Sequence, residues 1–125
     1  MILGHEEITN DLNSEEIWLA NELVKFFVNK TKDNPVKSIQ IVTGVNKHYS
    51  LKKRFTDVRL RKIINYYRVN SIVPIISNKN GYYVSYDETE IENMVTSLSQ
   101  RAGSILDCAI GLKRIILNKE KQNGK

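Results

Sequence analysis

Arg59, Arg61, Lys62, Asn65 and Arg68 crowd one short stretch, interleaved with Leu60, Ile63, Ile64 and Tyr67. Guanidinium and ammonium groups bind phosphate oxygens. Arginine can also pair with guanine, and asparagine with adenine, through two hydrogen bonds each. Just upstream, Lys52, Lys53 and Arg54 form a basic run, and Lys79 stands alone between two β-rich segments further on. Ten of the nineteen Lys and Arg residues lie between positions 35 and 86, accompanied by a single acid, Asp57. That gives this block a net charge of +9, against −4 for residues 1–34 and zero for residues 87–125. Cations concentrated in this way favour a polyanion, because each phosphate they neutralise releases condensed counterions. Nucleic acid is the partner this chemistry implies first.

Other chemistries find little support. His5 and His48 have no metal-ligand spacing to the single cysteine, Cys108, so no metal site is expected. Phosphate-cradling glycine loops, nucleophile elbows and zinc-protease motifs are missing, so neither catalysis nor a cofactor is expected. The acid clusters Glu6-Glu7, Glu15-Glu16 and Glu88/Glu90/Glu92 suit helix N-termini, where negative charge is favourable. One cysteine fits a reducing compartment. No run approaches the ~18 apolar residues of a membrane span, and the N-terminus does not read as a signal peptide, so a cytoplasmic protein is expected.

A chain of 125 residues, 41% of them hydrophobic, is expected to form one domain. Residues 1–13 read as a flexible arm. Asn13 and Glu16 form a capping box for a first helix reaching about Thr31, with Ile17, Ala20, Val24, Phe27 and Val28 on its inner face. A second helix spans about 36–49, with Val42, Val45 and Tyr49 inward beside Ile39; Gly44 either costs it stability or ends it. After the basic connector 50–55, Thr56-Asp57 opens a third helix. Leu60, Ile63, Ile64 and Tyr67 face its core side, and Val58, Arg61, Lys62, Asn65 and Val69 face outward. Residues 72–77 and 82–86 flank an Asn-Gly loop and predict a hairpin with Lys79 at its tip and Pro74 on an edge. Of Tyr82 and Tyr83, which point to opposite faces, one is expected in the core. Asp87 and Glu90 predict a second capping box, opening a helix over 88–117. In it Ile91, Leu98, Ile105 and Leu112 recur every seven residues, accompanied by Val95, Ala102, Ala109 and Ile116. So long a stripe predicts homodimerisation through Leu98, Ala102, Ile105, Ala109 and Leu112. Residues 118–125 read as a frayed tail.

The order helix, helix, helix, hairpin, long helix is that of a winged helix-turn-helix occupying residues 14–87, mainly α with a β-hairpin wing and followed by the long helix. The block Thr56-Asp57-Val58-Arg59-Leu60-Arg61-Lys62-Ile63-Ile64-Asn65-Tyr66-Tyr67-Arg68, with Val73-Pro74-Ile75-Ile76-Ser77 and Gly81-Tyr82-Tyr83-Val84-Ser85, resembles the small winged-helix proteins of bacteriophages and prophages. Ser97-Leu98-Ser99-Gln100-Arg101-Ala102 resembles a Ser-Leu-x-x-Arg-Ala motif of the same family. The likeness covers about residues 36–117, and the connector 48–55 departs from it by being longer and more basic than a tight helix-turn-helix turn. It implies a DNA-binding fold of phage-encoded proteins, not one operator or one process; the expected function is a double-stranded DNA-binding protein of transcription regulation or replication-origin organisation. On that reading Arg61 and Asn65 are the candidate base readers. Arg59, Lys62, Arg68, Lys52, Lys53, Arg54 and Lys79 are the remaining contacts. A protein-interaction module binding a host or viral partner, including an acidic mimic of DNA, is the rival expectation.

Overall fold

The computed structural model describes residues 12–123. Among these residues four helices, α1 (Ser14–Phe27), α2 (Ser38–His48), α3 (Asp57–Val69) and α4 (Glu88–Asn123), flank a hairpin in chain order, β1 (Ile75–Asn78) and β2 (Gly81–Val84). The protein is therefore mainly helical, with a small antiparallel hairpin and a long C-terminal helix, as expected. Among the described residues no helix is long and apolar enough to cross a membrane.

The first helix begins where the capping box predicted. Asn13 Oδ1 accepts from Glu16 N at 2.8 Å, and Glu16 Oε1 accepts from Asn13 N at 3.0 Å. Its buried stripe is rotated from the expected one. Leu19, Ala20, Leu23 and Phe27 face the core together with Glu16, while Ile17 and Val28 are exposed. Positions 16, 19, 20, 23 and 27 keep helical spacing, but the stripe begins with an acid. The helix also ends at Phe27, short of Thr31.

In α2 the buried residues are Ile41 and Val45; Val42 and Tyr49 pack on the core edge, and Ile39, expected near the inner side, is exposed. The helix passes through Gly44 without ending there, and a Cβ at that position would meet no atom within 4 Å. Gly44→Ala is therefore expected to stabilise the fold by about 0.5–1 kcal/mol, by removing backbone freedom from the unfolded chain. A higher urea midpoint with unchanged slope would show it.

The third helix starts where predicted and buries the predicted set. Thr56 Oγ1 caps it by accepting from Arg59 N at 3.3 Å, and Leu60, Ile63, Ile64 and Tyr67 are buried. Tyr67 donates its hydroxyl hydrogen to Ala20 O and stands edge-on to Phe27, 5.9 Å between centroids, so it locks α3 to α1. Burial pushes the Tyr67 hydroxyl pKa well above its ordinary value.

The hairpin pairs Ile75 with Val84 and Asn78 with Gly81, leaving Lys79-Asn80 as a two-residue tip. Its strands are shorter than 72–77 and 82–86. Pro74, which has no N–H, stays just outside the ladder. Val36 adds a one-residue third rung, exchanging two backbone hydrogen bonds with Tyr82 at 2.9 and 2.7 Å. Tyr83 is the buried tyrosine of the pair, although Tyr82 also packs against the core edge.

The second capping box forms only in part. Asp87 Oδ1 accepts from Thr89 N at 2.9 Å. The Glu90 carboxylate instead receives the Ser85 hydroxyl, the Tyr83 hydroxyl at 3.0 Å and the Lys32 ammonium at 3.5 Å. The Ser85 hydrogen bond leads the effects that hold the Glu90 carboxyl below its usual range. The chain divides into two compact units after Ile91, within the first turn of α4. The helix continues to Asn123, past the expected end at 117. The arm, apart from Leu12 and Asn13, lies outside the described residues.

Candidate nucleic-acid interface

Two of the predicted contacts turn inward. Glu16 is 2% exposed, and the Arg59 and Lys62 side chains are 13% exposed each. Arg59 Nε donates to Glu16 Oε2 at 3.1 Å, and Lys62 Nζ donates to Glu16 Oε1 at 3.1 Å. A second carboxylate, Glu15, lies 3.5 Å from the Arg59 guanidinium. Burial by itself would raise the Glu16 pKa. The Asn13 amide, Lys62 and Arg59 more than offset that, and the carboxyl sits below its ordinary value. At ~100° per residue, Arg59 and Lys62 share one flank of α3, which this network turns toward α1.

The opposite flank carries Arg61 and Arg68. Arg68 braces the hairpin, donating from Nε to Ile75 O at 3.1 Å and from its guanidinium to Ser77 Oγ at 3.3 Å. Arg61 is exposed, with Asp57 one turn away at 3.0 Å. Such an exposed pair contributes little and leaves Arg61 able to exchange partners. Asn65 is exposed near the middle of the outer face, flanked by exposed Val69. The structure thus keeps Arg61 and Asn65 open on the hairpin side and withdraws Arg59 and Lys62 to the other.

The basic connector is held by its backbone while its three basic side chains stay exposed. Arg59 donates to Lys53 O at 2.8 Å and to Arg54 O at 3.1 Å, and Lys52 N donates to Glu15 Oε2 at 3.0 Å. Asn46 clamps the next residue from both sides, donating to Phe55 O and accepting from Phe55 N, each at 2.9 Å. Phe55 is fully buried and anchors the connector in the core. Three cations are thereby presented from a fixed main chain, so the length of the connector does not leave it slack.

Lys79, at the hairpin tip, shares a cleft of about 290 Å³ with Lys37, Ser38, Ile39, Ser77 and Asn78 at the start of α2. Lys37 was not among the expected contacts. Its sequence context, one lysine after Pro35-Val36, carries no pattern; only the Val36–Tyr82 rung brings it to the hairpin. Glu16 and Asn46 were missed as positioning residues for the same reason, since their partners lie far along the chain.

Comparison with protein-family models, curated proteins and solved structures returns no match for this chain.

Proposed function

We propose that the unit ending at Ile91 is a winged-helix module that binds double-stranded DNA, in a phage or prophage protein of transcription regulation or replication-origin organisation. On this reading α3 enters the major groove with Arg61 and Asn65 toward the bases. Lys52, Lys53 and Arg54 grip phosphates on one side, and Lys79, joined by Lys37, on the other. Arg59 and Lys62 support the module from within, and Arg68 fixes the hairpin against α3. The observation that carries the reading is the open Arg61/Asn65 face on a helix whose other cations are tied back. The exposed connector and hairpin-tip lysines add the phosphate-binding groups such a face needs.

Selection of duplexes from a random pool, followed by titration of the winners at several salt concentrations, tests this. Affinity should fall steeply with salt. Replacing Lys52, Lys53 and Arg54 together by alanine should flatten that slope by about one for each phosphate these side chains neutralise. Arg61→Ala should cost about 1–3 kcal/mol and relax preference at one base position. No duplex binding at low salt would end the proposal.

A second reading has its own observation. Leu23, Phe26, Ile41, Val45 and Tyr49 line an apolar groove of about 230 Å³ between α1 and α2, with Trp18, exposed, standing edge-on to Tyr49 at 5.6 Å. A protein-interaction module could seat an apolar side chain of a host or viral partner there, while the basic face met an acidic, DNA-mimicking surface. On this reading binding would be lost in Phe26→Asp, a change that leaves the Arg61/Asn65 face needed for a duplex intact.

A further inference from the structure

Among its described side chains, α4 buries none, yet it carries a continuous apolar seam. Ile91, Val95, Leu98, Ala102, Ile105, Ala109, Leu112 and Ile116 follow alternating steps of four and three residues, the spacing of a coiled-coil seam. Val95, Ile105, Leu112 and Ile116 are each at least half exposed.

Two features of the helix select what covers this seam. The first is size: Leu98 and Ile105 alternate with Ala102 and Ala109, so the occupant must set large side chains against small ones and small against large. The second is charge. The first turns carry Glu88, Glu90 and Glu92, whereas the last turns carry Lys113, Arg114, Lys119 and Lys121 against the single acid Glu120. The helix dipole has the complementary polarity at each end, which stabilises the acids near the N-terminus and the cations near the C-terminus.

We propose that the occupant is a second copy of this chain lying antiparallel. One register satisfies both features. Ile91 meets Ile116 of the second copy, Val95 meets Leu112, Leu98 meets Ala109, and Ala102 meets Ile105. In that register Glu92 lies beside Lys113 of the second copy and Glu88 opposite Lys119. A parallel pair would stack Ala102 on Ala102 and Ala109 on Ala109, leaving thin layers, and would set glutamates against glutamates at one end and lysines against lysines at the other. Like charges at those positions oppose pairing and opposite charges choose orientation. The inference concerns α4 alone and stands independently of DNA binding.

The test uses the full chain carrying Cys108→Ser, which removes the exposed native thiol. Light scattering should give twice the 14.4 kDa chain mass. Val95→Cys and Leu112→Cys are then made separately in this background and treated with a short bismaleimide cross-linker, alone and after mixing. In the antiparallel register a residue at 95 lies about 25 Å from its own counterpart, at ~1.5 Å per residue, but next to 112 of the second copy. Cross-linked dimer is therefore expected only in the mixture. Dimer formed by each variant alone would establish a parallel pair and overturn the proposal. A single-chain mass for the parent would overturn it too. Ile105→Asp should convert the dimer to monomer with the thermal melt of the first unit unchanged; an unaltered mass would remove the seam from the interface.

Discussion

Glu16→Ala is expected to lower the unfolding free energy by about 3–5 kcal/mol, because it strands two mostly buried cations. With the carboxylate gone, Lys62 loses the acid it donates to. Arg59 keeps only Glu15 and two carbonyls of the connector. The same change removes the group that satisfies the Asn13 amide at the start of α1. Urea melts at neutral pH would measure the loss, and a change below ~1 kcal/mol would show that the network is dispensable. Glu16→Gln, which keeps hydrogen-bonding oxygen but no charge, should fall between. Glu16→Met combined with Lys62→Met should recover much of the loss, since a buried ion pair is often replaceable by apolar groups that fill its space.

The same residue sets an acid limit. Its folded pKa is depressed, so its contribution is fully present above the unfolded value and declines as pH falls through the folded one. Stability should therefore drop as pH decreases below about 4.5, the ordinary value for this carboxyl. Glu16→Ala should show a flatter profile over that range. A mutant and parent with parallel profiles would place the acid sensitivity elsewhere.

Glu16 also explains where sequence reading succeeded and where it stopped. Elements whose signals are local were legible: the Asn13–Glu16 box, the Thr56 cap, the buried set of α3 and the Asn-Gly hairpin all depend on residues within a turn or two of each other. The inner face of α1 was misplaced because hydrophobic periodicity treats an acid as outward-facing, so the stripe was phased on Ile17. What reverses it is a pair of cations more than forty positions away, which makes burying Glu16 tolerable. The candidate interface was legible in composition but not in detail. Periodicity put Arg61 and Lys62 on the same outer face, and only the tertiary partner separates them. Similarly, nothing local distinguishes Lys37 from any loop lysine until Val36 pairs with Tyr82.

That rung makes Gly81 the position where a single methyl group should do most harm to the hairpin. Gly81 has φ 127°, a conformation that L residues with a Cβ rarely adopt. A Cβ there would lie 2.3 Å from Val36 O and 2.6 Å from Val36 C. Both are backbone atoms, so no rotamer change can make room. Gly81→Ala must either hold this clash on top of backbone strain of about 1–3 kcal/mol, or move β2 away and give up both hydrogen bonds between Val36 and Tyr82. Moving β2 also disturbs Tyr83, which is buried, and the start of α2 that follows Val36. A total loss of about 3–5 kcal/mol is expected, with hydrogen exchange at the Val36 and Tyr82 amides accelerated well beyond the global change. Lys79 and Lys37 would no longer share one cleft, so under conditions where the variant stays folded its affinity for a duplex should fall and its salt dependence flatten. An alanine variant with unchanged melting and protected Val36 and Tyr82 amides would mean that the hairpin does not close on Val36, and with that the cleft between Lys37 and Lys79 would be lost as a phosphate site.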